Sequence, residues 1–246
     1  MNNTLSRRAW FGVAASSAAA LAACSRPRST IATTTVTVPA SPEFTTETPR
    51  PTIIDPDVAL RHLQEGNQRF VDAKMEHPGQ DPERRLHLAA VQQPFATILS
   101  CSDSRVPPEV VFDQGLGDLF VVRVAGNIVD PALLGSIEYG VDHLGTPLVV
   151  VMGHQNCGAV SATLESLQHH NEPHGDIAAL VKAITPAVAV AKQRPGDLLD
   201  NTIRANADQS RAAIVESSEL KGPLNSGALK VLTAYYSLDS GVVTVG

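Results

Sequence analysis

Beyond Asp55, short unbroken apolar runs alternate along the chain with longer stretches in which apolar residues recur every three or four positions. The runs at residues 95–99, 119–124, 148–152 and 229–235 have the length and β-branched content of buried strands. The helical period starts behind Pro56, where Leu60, Leu63, Phe70 and Val71 fall on one face. It returns over 132–143, 159–169, 176–191 and 198–216. Strands that are apolar throughout, separated by helices, predict an α/β domain: a mostly parallel sheet covered by helices on both faces. A turn at Leu238-Asp239-Ser240-Gly241 leads into 242–245, which reads as a further edge strand. Neither an internal repeat nor a second domain boundary follows Asp55.

The first 54 residues have a different pattern. Arg7-Arg8 precede an alanine-rich apolar run from Trp10 to Ala23, too short to span a bilayer stably. Ser6-Arg7-Arg8-Ala9-Trp10-Phe11 resembles a twin-arginine export signal, with Trp10 where phenylalanine is more usual. Leu21-Ala22-Ala23-Cys24 resembles a lipobox, in which Cys24 would be lipidated and become the mature N-terminus. Residues 25–54 are rich in Ser, Thr and Pro and cannot bury enough apolar surface to offset their ordering entropy. The expected organisation is an export segment over 1–24, a tether over 25–54 and a folded domain over 55–246. The protein is then expected outside the cytoplasm, held on a membrane through Cys24.

Composition narrows the candidate functions. A formal net charge of −6 and an aromatic content of 4% argue against a grip on phosphate backbones or a stacking platform, so nucleic acid is not an expected partner. Three cysteines are present, and the two outside the export segment are Cys101 and Cys157. Cys101 follows one predicted strand within Cys101-Ser102-Asp103-Ser104-Arg105, and His154-Gln155-Asn156-Cys157 follows another. Both sequences therefore belong at carboxyl ends of parallel strands, where open α/β sheets bind their ligands. Cys157 opens the next helix, whose N-terminal partial charge favours a thiolate.

Two thiolates and an imidazole, with one replaceable position, is the donor set of a catalytic zinc site. Asp103 can close that site as a fourth ligand, or stand beside it, held by Arg105 through a bidentate pair if the stretch between them is extended. In the second case water takes the fourth position and Asp103 accepts a hydrogen bond from it. Because two thiolates neutralise Zn²⁺, water there should be less acidic than the pKa of about 7 found with three imidazoles, and activity should rise into the alkaline range. The competing reading of the cysteines is a Cys101–Cys157 disulfide, to be expected of exported proteins but not of His-x-x-Cys paired with Cys-x-Asp-x-Arg. Asp103–Arg105 can also be a structural ion pair. His169, His170 and His174 form a histidine-rich loop that reads as solvated surface.

Cys101-Ser102-Asp103-Ser104-Arg105-Val106-Pro107, Asp118-Leu119-Phe120-Val121-Val122-Arg123 and Gly153-His154-Gln155-Asn156-Cys157-Gly158 together resemble the β-class carbonic anhydrases. So do Gly66-Asn67-Gln68-Arg69-Phe70 and Gly135-Ser136-Ile137-Glu138-Tyr139, and the order is collinear over nearly everything after Asp55. The resemblance implies one Zn²⁺ per subunit on Cys101, His154 and Cys157, a catalytic dyad of Asp103 and Arg105, and reversible hydration of CO₂ to bicarbonate. It implies that Gln92 donates to a substrate oxygen and that Gly158 borders the substrate. Phe120 and Tyr139 would be apolar walls built across the interface of a homodimer, itself often paired into a tetramer. Two departures stand out: the export and lipidation signal, and Ala125-Gly126, which leaves the expected pocket wall small. Rival readings are hydrolysis of carbonyl sulfide or carbon disulfide on the same scaffold, and a non-catalytic zinc- or bicarbonate-binding lipoprotein.

Overall fold

The computed structural model describes residues 52–170 and 173–246. Arg7, Arg8, Cys24 and residues 25–51 lie outside the described residues, so the readings placed on them are not addressed by it. Five strands form one sheet: β1 (Ala96–Ser100), β2 (Leu119–Arg123), β3 (Leu148–His154), β4 (Lys230–Tyr236) and β5 (Val243–Val245), in the order β2-β1-β3-β4-β5. The pairs β1·β2, β1·β3 and β3·β4 are parallel, and the edge strand β5 returns antiparallel to β4.

Successive strand residues face opposite sides, and both sides are covered. Ile98, Val150 and Met152 pack with Ala59 and Leu63 of α1 (Pro56–Val71) on one face. Leu99, Val149 and Val151 pack with Ile137 and Val141 of α4 (Pro131–Asp142), and with Ala207 and Ile214 of α7 (Leu198–Val215), on the other. Every residue of β1 and β3 is buried, which is why those segments are apolar without alternation. The remaining long helices, α5 (Gly158–His169) and α6 (Ile177–Ala191), complete the α7 side.

Three helices have no counterpart in the sequence reading: α2 (Pro82–His87), α3 (Pro108–Val111) and α8 (Lys221–Ser226). Each spans fewer than two turns, too short to display a period. Strand β3 also runs on to His154, two residues past the apolar run, because Gly153 and His154 still pair with Tyr235 and Tyr236.

The Gly66-Asn67-Gln68-Arg69-Phe70 segment acquires a structural reason. A side chain at Gly66 would stand 1.8 Å from the Phe112 carbonyl oxygen, so only glycine lets α1 lie against the end of α3. Buried Asn67 then donates to the carbonyls of Val111 (3.0 Å) and Gly241 (2.9 Å) and accepts from the Val243 N–H (2.8 Å). Arg69 pairs with buried Asp113 at 2.6 Å. Burial alone would raise the Asp113 carboxyl, yet Arg69 and the N–H groups of Glu76 and His77 hold it below its ordinary value.

Candidate metal centre

The parallel register brings the carboxyl ends of β1 and β3 side by side, Ser100 opposite Met152. Cys101 continues from β1, His154 ends β3, and Cys157 is the N-cap residue of α5. Their sulfur and nitrogen atoms lie within 4.8 Å of one another and all three residues are buried. The two cysteines are free, with sulfurs 4.0 Å apart, so no disulfide joins them. Two thiolates on one tetrahedral zinc, each about 2.3 Å from it, stand about 3.8 Å apart, close to that separation.

His154 supplies a further sign that the cluster fits a metal. Its Nδ1 lies 2.9 Å from the Gln155 carbonyl, which can only accept, so that nitrogen carries the proton. Nε2 is left with a lone pair, buried, and without a hydrogen-bond partner among the described residues. An unpaired buried acceptor is costly, and coordination to a metal satisfies it. The donor set and its spacing fit zinc.

The thiols are unequal. Donation from the Cys157 thiol holds Cys101 down at about 4, aided by the Gly126 N–H at 3.3 Å, against the upward push of burial. The same donation, together with burial, pushes Cys157 above its ordinary value. In the metal-free pair, one thiolate held by the neighbouring thiol is therefore favoured over two thiolates.

Beside the cluster, Asp103 accepts three bonds from Arg105: from the backbone N–H (2.9 Å), from Nε (2.9 Å) and from Nη2 (2.7 Å). The stretch between them is a turn rather than extended, closed by the Val106 N–H on the Asp103 carbonyl at 3.1 Å. An aspartate that bonds the backbone two residues on favours such a turn. Arg105 Nη2 also reaches the Asn156 carbonyl at 3.3 Å, linking the two ligand segments. The guanidinium holds the Asp103 carboxyl down at about 2. One carboxylate oxygen stands 3.9 Å from His154 Nε2, next to the cluster while bound to Arg105.

Arg123, to which the sequence reading gave no role, donates to the carbonyls of Cys101 (3.0 Å) and Asp103 (2.6 Å) and so fixes the loop carrying both. An arginine ending the strand beside β1 was the available signal. Gly126 does not thin a pocket wall. It lies buried behind Cys101 at φ 75°, where a side chain would meet Ile184 at 2.8 Å and Ala159 at 3.1 Å. Gly158, at the start of α5, has open space where a side chain would project.

Within one chain the other expected pocket residues do not join the cluster. Gln92 is exposed four residues before β1, at the end of the sheet opposite Cys101. Phe120 lies in the amino-terminal part of edge strand β2, and its ring is 6.1 Å from that of Tyr139, which is 44% exposed. His169, His170 and His174 are exposed and line a shallow groove at the far end of α5.

A mostly parallel α/β sheet with a buried Cys₂His cluster at its carboxyl edge defines the class, a zinc metalloenzyme, and comparison with known proteins gives the family. A family model described as carbonic anhydrase matches residues 96–243. The chain is 40% identical to carbonic anhydrase 2 of Mycobacterium tuberculosis, over 76% of this chain and 91% of that protein. It is likewise 40% identical to the carbonic anhydrase of Mycolicibacterium smegmatis, over 77% and 92%. The solved β-carbonic anhydrase of Coccomyxa, in complex with acetazolamide, superposes with a TM-score of 0.60 at 27% identity, over 75% of this chain and 85% of that one. This chain belongs to the β-class carbonic anhydrases.

Proposed function

We infer that the protein is a zinc carbonic anhydrase interconverting CO₂ with bicarbonate and a proton. The observation that carries this reading is the buried Cys101, His154 and Cys157 cluster, its imidazole Nε2 free, beside a carboxylate already committed to an arginine. Zinc, when bound, supplies Lewis acidity and makes water acidic enough to serve as the nucleophile.

The surrounding residues do the rest. Asp103, ionised throughout the working range, accepts a hydrogen bond from a water at the centre and orients it. Held down at about 2, it is too weak a base to keep the proton, which passes to solvent. Arg105 fixes the carboxylate in a bidentate grip, and Arg123 fixes the loop beneath it. Gly158 leaves room for a small linear substrate to approach. Gln92, Phe120 and Tyr139 complete the pocket from a second copy of the chain. What supports this is the exposure of Gln92 and Tyr139, the only partial burial of Phe120, and the separation of all three from the cluster of their own chain.

The N-terminal segment adds a place of work. The protein is exported by the twin-arginine route through Arg7-Arg8, lipidated on Cys24, and held outside the cytoplasm on the tether of residues 25–54. Two free thiols 4.0 Å apart are prone to oxidation outside the cell, and export of a folded, metal-loaded domain avoids that. Fractionation of cells carrying Arg7→Lys with Arg8→Lys should find the enzyme in the cytoplasm. Cys24→Ser should release it from the membrane, and unchanged membrane-bound external enzyme in both would reject the export reading. For the chemistry, stopped-flow measurement on the zinc-loaded full chain should show rapid CO₂ hydration that is lost on chelation and restored by zinc. Turnover of carbonyl sulfide without CO₂ hydration would select the rival enzyme, and neither activity at full zinc content would select a binding protein.

A further inference from the structure

The N–H of Gly126 donates to the Cys101 sulfur at 3.3 Å, from a single 3₁₀ turn, Ala125–Asn127. The turn is closed by the Asn127 N–H on the Val124 carbonyl at 3.0 Å, which leaves the Gly126 and Asn127 carbonyls to be held from outside. Two side chains of α7 hold them, one helical turn apart on the same face. Buried Asn206 donates from Nδ2 to the Gly126 carbonyl at 2.7 Å, and buried Ser210 donates to the Asn127 carbonyl at 2.9 Å. Helix α7 is fixed in turn against the ligand strand, since Ile203 fills the space that Gly153, next to His154, leaves empty.

Asn206 holds this bond at a cost. Its Oδ1 is buried with no hydrogen-bond partner among the described residues, as is Nδ2 of Asn127. Turning the amide over would set its oxygen against the Gly126 carbonyl oxygen, so the donor must face the turn. A purely apolar contact would fill the same space without an unpaired oxygen, and an unpaired buried group of this kind calls for a functional reason. Gly126 is hemmed in by Ile184 and Ala159 as well, so the turn cannot drift while the carbonyl is held.

We propose that Asn206 is a positioning residue of the zinc site: through the Gly126 carbonyl it aims the Gly126 N–H at the Cys101 sulfur. That hydrogen bond draws electron density from the sulfur, so the thiolate donates less to the metal, and it fixes the sulfur in place. Ser210 supports the same turn more weakly, by way of the neighbouring carbonyl. The inference rests on the reading of Cys101 as a metal ligand.

The test uses the full chain loaded with Co²⁺, whose near-ultraviolet thiolate-to-cobalt absorption reports electron donation from sulfur. In Asn206→Leu, similar in size but without the donor, the band should move to longer wavelength, and zinc affinity by chelator competition should fall about tenfold. Ser210→Ala should move the band the same way by less. Asn201→Leu is the control, since Asn201 pins the carbonyls of Arg194 and Pro195 from the same helix and has no bond to the Gly126 turn. It should leave the band where it is. A wild-type band and zinc affinity within twofold in folded Asn206→Leu would overturn the proposal. If that variant does not fold, an unshifted band in Ser210→Ala overturns it instead. Absence of the thiolate band from the cobalt-loaded wild type would instead remove the ligand reading on which the proposal rests.

Discussion

Replacing Asp103 by asparagine separates the roles that a carboxylate beside a metal can play. The substitution keeps the shape and one carbonyl oxygen but turns the other position into a donor. Arg105 presents three donors to this side chain, at 2.9, 2.9 and 2.7 Å, and the amide group of asparagine would face the Nη2 donor. The bidentate grip is therefore lost. Arg105 is half exposed, so solvent offsets most of that loss, and stability should fall by no more than about 1 kcal/mol. Cys101, His154 and Cys157 are untouched, so zinc content should stay near one per chain. Activity depends on an acceptor that orients the attacking water, a contribution of about 10²–10⁴ in rate, or roughly 3–5 kcal/mol of transition-state stabilisation. The expected result is a large activity loss with nearly unchanged melting and full zinc, read by stopped-flow hydration, thermal denaturation and elemental analysis on one preparation. Hydration within threefold of wild type at full zinc would leave Asp103–Arg105 a structural pair. Loss of zinc in step with activity would make Asp103 a ligand.

Other consequences are as direct. Cys157→Ser and His154→Ala should each lose zinc and activity together, and full zinc content in either purified variant would refute the ligand assignment. Because Cys101 is held down at about 4 while Cys157 is pushed up, zinc binding near pH 6.5 should release about one proton from the thiols. Calorimetry in buffers of different ionisation enthalpy measures this, and release of about two protons would show that both thiols are protonated in the metal-free protein. Asp113 is held below its ordinary value, so its contribution to stability is complete above the unfolded pKa of about 3.9 and lost as pH falls through the lower folded value. Asp113→Asn should therefore be clearly less stable than wild type by denaturant titration at pH 7, with the gap narrowing below about pH 4. A gap independent of pH would contradict the role given to Arg69.

The ligand set was readable because each of its parts is local. A cysteine just past an apolar run, and a histidine and cysteine three apart between a strand and a helix, declare both chemistry and position, and the sheet merely joins them. The Asp103–Arg105 pair was readable for the same reason, although the backbone reaches it by a turn. Where function depends on distant partners, the chain offers no pattern. Asn206 meets Gly126 across 80 positions and looks like any polar residue in an amphipathic helix. Arg123 resembles an ordinary strand end until its two carbonyl acceptors are seen. Motif matching assigned Gln92, Phe120 and Tyr139 to one pocket, yet four residues before β1 and the start of an edge strand are not near the cluster of the same chain. A pocket role for them requires a second copy, as proposed above, and a single chain does not display one.

The central claim is reversible CO₂ hydration at the Cys101, His154 and Cys157 site, and loss of ¹⁸O label from bicarbonate tests it in both directions at chemical equilibrium. With the full chain carrying one zinc, mass spectrometry should record depletion of ¹⁸O from CO₂ orders of magnitude faster than in buffer. The acceleration should disappear on zinc removal and in Cys157→Ser. Depletion at the buffer rate, with one zinc per chain and the fold intact, would contradict the account.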